Sequence, residues 1–171
     1  MGNRTLVAYA SKNGVTAESA RIIAETLRRE HGFEVDVVDL AENRKPDYSS
    51  HDIVVIGSGI RMGMWYGRAR GFMKRDFTGK RVAVFISSMR AGNPEEHEKA
   101  RQNYLQKGID RWLKTKPVAA EAFGGRYVRK GEVTHDNYDP GKVRAWADEL
   151  GRLLSGTGDA RSRPPAGPPA P

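Results

Sequence analysis

The stretch Tyr9-Ala10-Ser11-Lys12-Asn13-Gly14-Val15-Thr16 decides how this chain is read. Just before it runs Leu6-Val7-Ala8-Tyr9-Ala10, apolar and strand-like. Just after it, Ala20, Ile23, Ala24 and Leu27 recur at i, i+3, i+4, i+7, the spacing of one helix face. A polar loop running from a strand end into a helix N-terminus offers unpaired backbone N–H groups and the positive end of the helix dipole. Here the loop adds the hydroxyls of Ser11 and Thr16 and the carboxamide of Asn13, and Gly14 lets the backbone bend close to a ligand. The stretch reads as a phosphate cradle. The plainer alternative is that Ser11 and Thr16 cap the first helix. Lys12 either steers the anion or stands in solvent.

Outward from this loop, strand and helix patterns alternate. Strands are expected at about 4–10, 33–39, 53–57, 81–87 and 117–123. The third, Ile53-Val54-Val55-Ile56-Gly57, lacks any polar side chain and fits a strand buried on both faces of a parallel sheet. Helices are expected at about 15–31, around Ala69, Phe72 and Met73, at about 94–114, and at about 140–154. Asn93 reads as the cap of the third of these. Such alternation is the mark of a doubly wound α/β fold, five parallel strands with helices on both faces. The folded domain is expected over residues 1–154. From 155 to 171 the chain turns to Gly, Pro, Arg and Ala, a composition that reads as a disordered tail.

Composition narrows the function. The 171 residues carry no cysteine, which removes thiol catalysis, disulfides and cysteine-held metals. His31, His51, His97 and His135 are dispersed without metal-ligand spacing, so no metal is expected. The formal net charge is +8, which favours an acidic partner or an anionic substrate, or serves solubility alone. No zinc-finger or RNP-type sequence accompanies the basic clusters, so nucleic acid is not the expected partner. No apolar run reaches the ~18 residues of a transmembrane helix, and no signal pattern opens the chain; a cytoplasmic protein is expected.

Several doubly wound families share this pattern, and the loops separate them. A dinucleotide fingerprint needs Gly-x-Gly-x-x-Gly after the first strand, where this chain has only Gly14. A P-loop needs a closing Gly-Lys-Ser/Thr, which is absent. A phospho-acceptor site needs acidic residues at strand ends occupied here by Tyr9-Ala10 and Gly57-Ser58. The loop Ser11 to Thr16 resembles the FMN phosphate loop of the flavodoxin family, Thr/Ser-x-Thr-Gly-x-Thr, with Asn13 in place of the middle hydroxyl. That resemblance implies strand order 2-1-3-4-5 and a flavin site at the switch between strands one and three.

Val54 to Gly63, ending Gly57-Ser58-Gly59-Ile60-Arg61-Met62-Gly63, is similar to the strand-three loop of the menaquinone-dependent protoporphyrinogen oxidases within that family. Phe123-Gly124-Gly125-Arg126-Tyr127 is similar to their turn after strand five. Those oxidases carry a long basic insertion after this turn. Only about a dozen residues separate Tyr127 from Pro140 here, so the chain departs from them at that point.

The resemblance implies the cofactor FMN and these contacts. Ser11, Lys12, Asn13, Gly14, Val15 and Thr16 would hold the phosphate. Ser58, Gly59, Ile60, Arg61, Met62 and Gly63 would border the ring, with Gly59 and Ile60 where the family places a backbone carbonyl against it. Ser88, Met89, Arg90 and Gly92 would face the pyrimidine end. Trp65 would stack on the ring or pack the start of the helix after it, and Tyr127 would form a wall or lid. Redox chemistry would belong to the flavin, so no catalytic side chain is named. Two functions remain open: an oxidoreductase related to the protoporphyrinogen oxidases, acting on a small anionic or quinone-like substrate, and a flavodoxin carrying electrons between protein partners.

Overall fold

The computed structural model describes residues 3–12 and 14–162, with side chains as far as residue 156. The elements run β1 (Thr5–Ala10), α1 (Val15–His31), β2 (Val35–Asp39), β3 (Ile53–Arg61), β4 (Met64–Trp65), α2 (Gly67–Met73) and β5 (Arg81–Ser87). They continue α3 (His97–Ala100), α4 (Lys107–Trp112), β6 (Ala119–Phe123), β7 (Arg126–Arg129), β8 (Glu132–Asp136) and α5 (Pro140–Ser162). A π-helical stretch, Arg101–Gln106, joins α3 to α4.

The main sheet has the order β2-β1-β3-β5-β6, every pair on this path parallel. Counting the five expected strands, this is the 2-1-3-4-5 order that the resemblance implies. β1 lies between β2 and β3, with Val7 opposite Val37 on one side and Val55 on the other. The chain leaves β1 and β3 in opposite directions, which opens a crevice at their carboxyl ends.

Strand alternation sends side chains to two layers. One contains Leu6, Val54, Ile56, Val84 and Ile86, covered by Phe72 and Met73 of α2 and by Leu105 and Ile109. The other contains Val7, Val55, Ala83 and Phe85, covered by Ile23 and Leu27 of α1 and by Val143, Trp146 and Leu150 of α5. α1 keeps its expected bounds. Gly32 closes it in a left-handed conformation, its N–H bonded to Arg28 O, and Arg28, Arg29 and His31 face the negative end of the dipole.

Four boundaries differ from expectation. β3 continues past Gly57 to Arg61 and turns back through Met62-Gly63 into β4, where a loop was expected. Positive φ at both turn residues, 51° and 76°, suits a two-residue hairpin whose twist matches its strands. The helix expected from 94 starts at His97, because a 3₁₀ turn at Arg90–Gly92 comes first. β7 and β8 form an antiparallel hairpin between residues 126 and 136, where no strand was expected. α5 runs past 154 to Ser162; glycine weakens a helix without forbidding it, and the first proline after Leu154 is Pro164. Disorder was expected from 155 onward; residues 155–162 belong instead to α5, and 163–171 lie outside the described residues. Among the described residues no helix is long and apolar enough to cross a membrane.

Candidate functional site

The crevice beyond β1 and β3 is a cleft of about 580 Å³. Four segments wall it: the loop after β1, the β3–β4 hairpin, the loop after β5, and β7. Its lining includes Ser11, Lys12, Val15, Thr16, Gly59, Ile60, Arg61, Met62, Gly63, Ser88, Met89 and Arg90, so twelve of the expected site residues converge on one space. Asn13 lies outside the described residues.

At the loop after β1, polar groups are left free. Gly14, at φ 84°, is the N-cap of α1, and no side chain caps the helix there. Ser11 Oγ accepts a hydrogen bond from Gly14 N–H at 3.2 Å, which leaves the Ser11 O–H free to donate elsewhere. Thr16 is only 2% exposed. Gly59 faces it across the crevice, and a Cβ at Gly59 would come within 2.8 Å of the Tyr66 ring and 3.4 Å of Thr16 Oγ1. Any larger residue at 59 would close the space between the two loops.

The end of β5, in register with Gly59, holds an unpaired group. Ser87 ends β5 and lines the cleft, and its buried Oγ has no hydrogen-bond partner. A buried hydroxyl without a partner costs roughly 1–3 kcal/mol, so such a group in a cleft points to a ligand that completes it. The cationic side chains Lys12, Arg61, Arg90 and Arg126 line the cleft, and no carboxylate does among the described residues. Arg90 is tethered: Nη1 donates to Tyr104 Oη at 3.1 Å and Nε pairs with Glu96 at 3.2 Å. The Tyr104 contact, then the Glu96 charge, raise its guanidinium pKa further.

Gly14 does not line the cleft, and three further expected residues stand elsewhere. Trp65 is 4% exposed and turned into the core, where its ring meets Trp112 edge-on at 5.8 Å and its Nε1 donates to Tyr104 O at 2.7 Å. It packs the helix behind the site and does not border the cleft. Ser58 is fully buried beneath the cleft; its hydroxyl donates to Gly59 O at 2.8 Å and accepts from Tyr66 N–H at 3.3 Å, fixing the hairpin's exit. Gly92 lies behind the loop after β5, against the Asn137 side chain.

The cleft also contains residues not singled out from sequence. Tyr66 borders it next to Trp65, and burial pushes its phenol above the usual value, opposed by the Arg61 charge. Tyr104 reaches it from the π-helical stretch, a distortion that often marks functional sites. From β7 come Arg126 and Val128 beside Tyr127, the expected wall. Arg126 is held by Asp136 at 2.9 Å and Glu18 at 3.8 Å.

Comparison with known proteins bears on the fold and the family. Protoporphyrinogen IX dehydrogenase (quinone) of Escherichia coli is 28% identical over 107 residues, 61% of this chain; the match spans 59% of that relative's length. NAD(P)H:quinone oxidoreductase from Methanothermobacter marburgensis aligns with a TM-score of 0.62 at 16% identity, covering 90% of this chain and 100% of the other. Oxidised Flavodoxin 1 from Bacillus cereus aligns with a TM-score of 0.57 at 19% identity, covering 90% and 97%. The Flavodoxin domain profile matches residues 6–134, most of the folded part and all four walls of the cleft, so the chain belongs to the flavodoxin domain family.

Proposed function

We propose that this chain binds FMN in the cleft and acts as an oxidoreductase on a small anionic or quinone-like substrate. The observation that carries the reading is the buried Ser87 Oγ, unpaired in a cleft that an uncapped helix N-terminus also borders. FMN, when bound, would supply the electron transfer. Ser11, Thr16 and the first N–H groups of α1 would bind its phosphate. Ser87 and the backbone of Ser88–Arg90 would orient the polar edge of the ring, and Tyr66 and Tyr127 would shelter it from water. Arg61 and Arg90 would favour an anionic substrate by charge. The curated relative from Escherichia coli and the archaeal quinone oxidoreductase lend support to a quinone-like acceptor.

An electron-carrier reading draws on a different observation. Met62 and Tyr127, on two hairpins flanking the cleft, are 93% and 52% exposed, as a protein-docking rim would be. Stopped-flow reoxidation of the reduced, FMN-loaded protein separates the two. An enzyme would show saturable reaction with menadione. A carrier would react slowly with it and fast with an acidic redox protein, at a rate that falls steeply with salt. The cofactor is tested first: FMN fluorescence should be quenched on titration, with riboflavin binding more weakly. Equal affinity for the two would refute the phosphate cradle.

A further inference from the structure

Behind the phosphate loop lies a second cleft, of about 940 Å³, which the flavin reading does not use. Ser11, Lys12 and Tyr66 line both clefts, so a single thin wall divides them. The buried part of the lining is apolar: Ala10 and Phe72. The rim is cationic. Lys12, Arg44, Lys45 and Arg68 line it, all are exposed, and no carboxylate lines it among the described residues. Arg75 adds a fixed charge: its Nη1 donates to Pro46 O at 2.8 Å, and its guanidinium lies 4.6 Å from the centre of the Tyr48 ring.

We infer that this second cleft binds a ring-bearing polyanion the size of a nucleoside diphosphate. The chemistry follows from the lining. Guanidinium groups match phosphate oxygens in fork geometry, and several cations around a lining without carboxylates favour a ligand with more than one negative charge. A buried apolar lining beside a tyrosine ring suits a flat ring, and the volume falls within the range of small-molecule sites. A ligand seated here touches the far side of Tyr66 and Lys12. It therefore occupies a site separate from the flavin cleft but mechanically joined to it. The inference does not rest on the flavin reading, because none of Arg44, Lys45, Arg68 and Gly71 lines the first cleft.

The test is calorimetric titration of the full chain at low salt with ADP, adenosine, inorganic pyrophosphate and a poly-glutamate peptide, with and without saturating FMN. ADP is expected to bind one site in both states, and adenosine and pyrophosphate each at least about tenfold more weakly. Arg44→Ala and Arg68→Ala should each weaken ADP by about three- to tenfold and leave FMN affinity within about twofold. A Cβ at Gly71 meets nothing within 4 Å, so Gly71→Leu should fill the cleft and abolish ADP binding without changing charge. ADP displaced one-for-one by FMN would show that it had merely entered the flavin cleft, and would overturn the inference. So would pyrophosphate binding as tightly as ADP, poly-glutamate binding more tightly than ADP, or no saturation by ADP. Failure of FMN to bind, with ADP binding intact, would sink the flavin reading alone.

Discussion

Asn137 Nδ2 donates to Met89 O at 2.7 Å, tying the end of the β7–β8 hairpin to the loop after β5. The same side chain accepts Gly125 N–H through Oδ1 at 2.9 Å, and the backbone N–H of Asn137 donates to Gly125 O at 3.1 Å. One residue thus fixes two walls of the cleft. The fit is close: a Cβ at Gly124 would lie 2.2 Å from Asn137 O, and one at Gly92 would lie 2.2 Å from its Oδ1.

Asn137→Ala should cost about 1–3 kcal/mol of stability by leaving Met89 O and Gly125 N–H without these partners. It should also loosen the cleft and weaken FMN, where a surface Asn→Ala would do neither. Denaturant unfolding and FMN titration check both effects. Unchanged FMN affinity would show that the staple does not shape the site.

Ser87→Ala should act with opposite signs on the free and loaded protein. Removing an unpaired buried hydroxyl relieves a desolvation cost, so the ligand-free melting temperature should hold or rise. FMN affinity should fall, by about 0.5–1.5 kcal/mol for one neutral hydrogen bond. A fall in both would mean that the hydroxyl has a structural partner in the free protein.

Trp65→Phe and Tyr66→Ala should separate packing from binding. Trp65 is a core residue, so the phenylalanine variant should lose stability, through the hydrogen bond to Tyr104 O, and keep FMN affinity within about twofold. Tyr66 borders the cleft, so its truncation should weaken FMN. The reverse pattern would restore Trp65 as the stacking residue.

The β7–β8 hairpin should open in acid before the core does. Its hydrogen bond from Arg126, then the Tyr138 N–H, hold the Asp136 carboxyl below its ordinary 3.8. A lowered folded-state pKa means that this contribution is full above the unfolded value and is lost as pH falls through the folded one. Amide NMR shifts in β7 and β8 should therefore change below about pH 4, ahead of those in β5. Arg126→Gln should move the Asp136 midpoint upward; an unmoved midpoint would rule out the ion pair as its cause.

What the sequence revealed follows from burial. The five parallel strands and α1 were legible because apolar residues recur at the spacing of their buried faces, and the loop between β1 and α1 because its hydroxyls and Gly14 stand at a strand-to-helix turn. The β7–β8 hairpin was not, because β8 is exposed at every position and carries no alternation. Its one local signal was Lys130-Gly131, whose φ values of 51° and 81° make the turn. The sequence leaves Trp65 between the ring and the helix after it, because a two-residue β4 gives no pattern to set its side. Pairing with Ile60 in the hairpin sends it inward, and Tyr66 takes the exposed position.

The placement of the tryptophans makes the molecule an optical gauge of itself. The chain has three: the Trp65–Trp112 pair belongs to one layer of the core, and Trp146, against Phe123 at 5.7 Å, belongs to the other. None lines the crevice between the loops. Dimming of indole emission by a chromophore seated there would therefore be transfer through space, read as distance from each layer, while the wavelength of the same emission tracks the melting of that layer.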